Sequence, residues 1–201
     1  GLGAVYDDQK DYDKAIEAYQ KAIALDPKFA YPHNNLGNVY KAQGDYDKAI
    51  DAYQNAIKLD PKYASPHNGL GWLYLTQDNF AAAADHFNQA ITIAPGTSAY
   101  LFNLGITFAR QGDLTQAQAT WQKALALYAG NTDWAKATIA FYTIALGDVQ
   151  QGLADLKALT EKGLQPAALR DVLGDAEQLL KCPTEIPGIE AAATLLRQAL
   201  A

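Results

Sequence analysis

The chain has 201 residues, of which 49% are hydrophobic and 19% charged, a balance that suits a folded protein and argues against disorder. A net charge of −6 opposes binding to phosphate backbones, and no apolar stretch reaches membrane-spanning length. A single cysteine, Cys182, excludes an internal disulfide and any multi-cysteine metal site.

Self-similarity organises what remains. Leu2-Gly3, Leu36-Gly37, Leu70-Gly71 and Leu104-Gly105 follow one another at intervals of 34 residues. Three residues after each glycine stands an aromatic: Tyr6, Tyr40, Tyr74 and Phe108. Ala15, Ala49, Ala83 and Ala117 come next, then the large rings Tyr19, Tyr53, Phe87 and Trp121, then Ala22, Ala56, Ala90 and Ala124. Pro27, Pro61 and Pro95 close the first three units. Apolar residues three or four apart predict two amphipathic helices per unit. Small residues fall where the two helices must cross closely, with Gly37 and Gly71 facing Ala49 and Ala83 and the large ring filling the space beside them.

Taken in chain order, the first unit lacks the start of its first helix. The chain contains no methionine, and Gly1 falls inside a repeat, so a piece of a longer protein is expected. In the second unit Gly44 is placed to end one helix in a left-handed conformation, Asp45 to cap the next, and Asp47 to sit at its positive end. Lys10 and Asp78 replace that glycine in the first and third units, where strained turns are expected. Asp26-Pro27 and Asp60-Pro61 end the second helices. Residues 1–130 thus hold four units. Beyond them, 132–162 reads as a degenerate fifth helix pair, with Gly147-Asp148 mirroring Gly112-Asp113. A sixth pair spans 166–181 and 189–200, broken by the proline-rich 182–188. Residues 131–201 are expected to cap the same solenoid.

This ladder resembles the tetratricopeptide repeat. The resemblance implies an all-α, right-handed superhelical solenoid of antiparallel helix pairs, whose first helices line a concave groove for a peptide or partner segment. Carried over residue by residue, the groove positions are Asn34, Asn35, Asn38 and Lys41 in the second unit and Asn68 and Trp72 in the third. In the fourth they are Phe102, Asn103, Ile106 and Arg110. Asp7 and Asp8 fall on the first unit, and Trp134 and Phe141 on the fifth. Asn35, Asn38 and Asn103 match asparagines with which family members hold a ligand backbone, an amide being both donor and acceptor. The aromatics read as exposed interface anchors; the competing reading buries them under C-terminal helices folded back into the groove. The family's lysine-rich clamp for chaperone carboxylates is not reproduced, and Asp7 and Asp8 favour basic residues in a ligand.

Catalytic motifs are missing from this picture. His33 and His67 occupy equivalent places before the Leu-Gly pair, and together with His86 they read as packing residues rather than metal ligands. Asp11, Asp13, Asp45 and Asp47 belong to helix starts, and Cys182 has no histidine at an activating spacing. The expectation is a protein- or peptide-binding module, neither enzyme nor nucleic-acid or membrane binder, with no cofactor or metal. A structural self-association scaffold is the alternative, including an end-to-end homodimer through the truncated first repeat. A cytoplasmic location is expected.

Overall fold

The computed structural model describes residues 11–127, 133–163 and 166–200, without the side chains of 133–135, 167 and 171. All its regular structure there is helical, and the chain divides into two compact units, Gly1–Pro95 and Gly96–Ala201. This division by packing differs from the division by repeat regularity at residue 130.

The first unit holds α1 (Tyr12–Leu25), α2 (Ala30–Gln43), α3 (Tyr46–Leu59), α4 (Ala64–Thr76) and α5 (Phe80–Ile93). Each helix packs on the next, and α2 also touches α4, as first helices of successive repeats do. The second helices start on a recurring cap. The side chains of Asp11, Asp45 and Asn79 accept the backbone N–H three residues on, from Lys14, Lys48 and Ala82. The Lys48 ammonium also reaches Asp45, and its hydrogen bond holds that carboxyl below its ordinary range. Past the helix ends, Asp26 and Asp60 accept from the N–H of Lys28 and Lys62, fixing the turn around each proline. Gly44 ends α2 at φ 79°, as expected. Asp78 takes the same left-handed turn at φ 58°, the strained conformation foreseen there. Lys10 lies outside the described residues.

The second unit holds α6 (Ser98–Arg110), α7 (Leu114–Ala126), α8 (Asp133–Ala145), α9 (Val149–Glu161), α10 (Pro166–Leu179) and α11 (Ile189–Leu200). The fifth and sixth helix pairs therefore exist within a residue or two of their expected spans. Asp113 and Asp148 cap α7 and α9 by accepting from the N–H of Gln116 and Gln151, so the mirrored Gly-Asp pair does the same job in both. The packing departs from simple stacking: α10 packs against α6 as well as against α8 and α11, and α11 packs on α9 and α8.

The recurring glycines of the repeat ladder work differently from the expectation. A Cβ on Gly37 would stand 2.6 Å from the Tyr53 ring, and one on Gly71 2.6 Å from Phe87. On Gly105 it would overlap the Trp121 indole. The large ring lies directly over the glycine rather than beside it, so the missing side chain makes room for an aromatic as much as for a backbone. Tyr53, Phe87 and Trp121 are fully buried in those seats.

Candidate functional site

The concave positions of the first unit lie on α2 and α4. Asn38, Lys41, Asn68 and Trp72 are half-buried, and Ala42 and Thr76 are exposed. The Tyr53 hydroxyl donates to Asn38 Oδ1 at 2.7 Å, which ties that side chain to α3. Tyr31, at the start of α2, is exposed and stacks on Phe29 with ring centroids 6.0 Å apart.

Two expected groove residues are not exposed. Asn34 and Asn35 are buried, and Asn34 Nδ2 donates to Asn35 Oδ1 at 3.3 Å. The position equivalent to Asn35 in the next repeat explains its burial. Gly69 sits there, and a Cβ on it would run into the Tyr53 ring. That position points back toward the preceding helix pair, not into the groove. Asp7 and Asp8 lie outside the described residues, as does the side chain of Trp134.

In the second unit the expected open groove is filled. Phe102 is 1% exposed, its ring stacked on Tyr142 with centroids 3.5 Å apart and planes 10° from parallel. It also meets Phe141 edge-on at 6.3 Å and Trp121 at 5.8 Å, while Trp121 Nε1–H donates to the Phe102 carbonyl at 3.1 Å. Ile106 and Ala109 are fully buried, and Asn103 and Arg110 nearly so. Arg110 Nη1 donates to Gln178 Oε1 on α10 at 2.9 Å, tying the two helices at their C-terminal ends. Leu169, Val172, Ala176 and Leu179 form the buried stripe of α10. For Phe102, Ile106 and Phe141 the outcome matches the competing reading from the sequence: a C-terminal helix, α10, packs on α6 and α8. Phe102, Asn103, Ile106 and Arg110 are therefore interior residues in this state. The apolar spacing of α10 was legible in the sequence, but not which surface it would choose.

The chemistry of the remaining candidates is quiet. Burial pushes the Cys182 thiol up to about 11, against the pull of nearby Arg110, so it stays protonated and a poor nucleophile at neutral pH. Among the described residues no three His, Cys, Asp or Glu side chains converge on a metal position. No helix among them is long and apolar enough to cross a membrane. His67 and His86 form a pair across α4 and α5 that no sequence spacing foretold.

Family profiles described as "TPR repeat" match residues 3–44 and 37–78, and others described as "Tetratricopeptide repeat" match 64–97 and 99–131. No curated protein matches the sequence. Among solved structures, a thermophilic TPR protein of Thermus thermophilus is 19% identical with TM-score 0.69, over 89% of this chain and 96% of that one. PilF of Pseudomonas aeruginosa is 20% identical with TM-score 0.64, over 99% and 87%. YrrB, described as a TPR protein with an unusual peptide-binding site, is 21% identical with TM-score 0.54, over 92% and 98%. At these identities the likeness is one of fold. Repeats and fold together support a general protein–protein interaction role, on a scaffold that is generally non-enzymatic. The 34-residue ladder, the helix pairs it folds into and the profile matches agree: the chain belongs to the tetratricopeptide repeat family.

Proposed function

We propose that the chain is an interaction module whose ligand-binding surface is the α2/α4 face of the first unit, where an extended peptide segment docks. The observation that carries this reading is the accessibility of Asn38, Asn68 and Trp72 on neighbouring first helices. Asn38 and Asn68 supply hydrogen bonds to a peptide backbone whatever its sequence, and Trp72 offers an apolar surface for one side chain. A hydrogen bond of this kind contributes about 0.5–1.5 kcal/mol, and a buried aromatic anchor more than about 2 kcal/mol. Lys41, half-buried on the same helix as Asn38, favours an acidic or carbonyl-rich stretch. The experiment is selection of binding peptides from a displayed library, followed by titration of a selected peptide at two salt concentrations. Trp72→Ala should weaken binding more than Asn38→Ala, with both variants folded. Affinity that survives the double substitution places the ligand elsewhere.

Self-association is supported by a different observation. Leu25 is 88% exposed at the end of α1, close in sequence to the exposed Phe29–Tyr31 stack. Exposed apolar side chains of this kind favour contact with another copy. Light scattering across a concentration series distinguishes this reading, and Leu25→Asp should abolish any dimer it detects.

A further inference from the structure

His67 on α4 and His86 on α5 bring their Nδ1 atoms to 3.3 Å, with ring centroids 5.6 Å apart and planes inclined at 34°. Tyr74 stacks on the His86 ring at 5.4 Å and 10°, which restrains its orientation. His67 is buried and His86 half-buried. Burial lowers the pKa of both imidazoles, and the neighbouring charge of Asp85 partly offsets this at His86. Both shifts favour the neutral form, the form that carries an available lone pair.

A neutral imidazole has one N–H. If either Nδ1 carries it, the pair shares a hydrogen bond; if both protons sit on Nε2, two Nδ1 lone pairs converge. Zinc–nitrogen bonds of about 2.0–2.1 Å meeting at a tetrahedral angle set their nitrogens roughly 3.3–3.4 Å apart. The observed separation is the same. The repeat provides its own control, because the pair is assembled only in the third unit. His33 holds the place of His67 one repeat earlier, but Ala52 stands where His86 would be; one repeat later the two places are Leu101 and Thr120.

From this geometry we infer that His67 and His86 form a two-imidazole site for a divalent transition cation of the zinc or copper class. The site clamps α4 to α5 in the third repeat. The protein supplies two ligands and water completes the shell, since no third His, Cys, Asp or Glu converges among the described residues. Such a site is open, unlike the closed four-ligand sites that hold small domains together. Because metal and proton compete for the same lone pairs, occupancy falls as the pH drops below the imidazole range.

The test is titration of the metal-free chain with zinc chloride near pH 7.5, followed by calorimetry and thermal melting. One zinc ion per chain and a raised Tm are expected. His67→Asn and His86→Asn should each weaken binding by at least about tenfold, while His33→Asn leaves it unchanged. Circular dichroism on each variant separates loss of the ligand from loss of the fold. A second measurement needs no variant: copper(II) bound to the wild-type chain should show electron-spin coupling to two imidazole nitrogens. No heat with zinc, undiminished affinity in His67→Asn, an equal loss in His33→Asn, or a copper spectrum with fewer than two nitrogens would overturn the assignment. In those cases the pair is only a hydrogen bond between packed helices.

Discussion

Positions 34 residues apart differ in burial between the two compact units. Where the first unit has Asn68, Trp72 and Thr76 on α4, the second has Phe102, Ile106 and Arg110 on α6. The first set stays half-buried or exposed, and the second is buried, with α10 packed across α6. The backbone plan is shared, so the side chains decide. An apolar face gains by removing its area from water, at roughly 25 cal/mol per Å², and it recruits a helix of its own chain to do so. A face on which Asn68 and Thr76 flank Trp72 gains less from such a helix, because each buried polar group then needs a partner. One scaffold therefore yields a surface that stays available and another that has already been used.

Substitution at the matched positions should break this contrast most visibly. Phe102→Ala removes a ring packed among Trp121, Phe141 and Tyr142 and should cost about 3–5 kcal/mol in chemical denaturation. Trp72→Ala, at a half-buried site, should cost clearly less, and equal losses would mean that the two faces are not different. Gly71→Leu comes next in size. Its side chain would enter the Phe87 ring, and overpacking there should cost about 1–3 kcal/mol; an unchanged melting curve counts against the seating of that ring. In the other unit, Gly174 lies within α10, and a Cβ there meets nothing within 4 Å. Gly174→Ala should stabilise the chain by about 0.5–1 kcal/mol, read as a higher Tm, by firming the helix that fills the α6/α8 face.

The smallest effect concerns pH and the first unit alone. His33, His67 and His86 all titrate below their ordinary 6.5 when folded, chiefly because burial disfavours the charged ring. As the pH falls through 6.5 the unfolded chain takes up protons first. The contribution of the three rings is therefore complete above 6.5 and is lost as the pH falls toward their folded values. His67→Asn should flatten that decline in metal-free buffer, and an unaltered slope would show that the pair carries none of it.

Most of the architecture was legible because the repeat states the same requirement several times. Gly37, Gly71 and Gly105 each face a large ring, and Asp11, Asp45, Asn79, Asp113 and Asp148 each cap a second helix, so a single-copy ambiguity is resolved by its recurrence. The site was less legible, because groove membership depends on what lies across from a residue. Asn35 and Asn38 are three apart on one helix, yet one is buried while the other is accessible. Phe102 has the same ring whether it awaits a ligand or packs under α10. Only the partner distinguishes those states, and α10 lies more than fifty residues away in sequence. The meeting of His67 and His86 is likewise a property of two helices that no spacing rule joins.

The central claim is that the α4 face of the first unit is accessible while the matched α6 face of the second is closed by the chain's own helix. Thiol labelling tests it directly. In a Cys182→Ser background, Trp72→Cys and Ile106→Cys place a thiol at equivalent positions of the two units. Under native conditions the thiol at position 72 should react promptly, and the one at 106 at least about tenfold more slowly, limited by local opening. Equal labelling rates at the two positions would contradict the account.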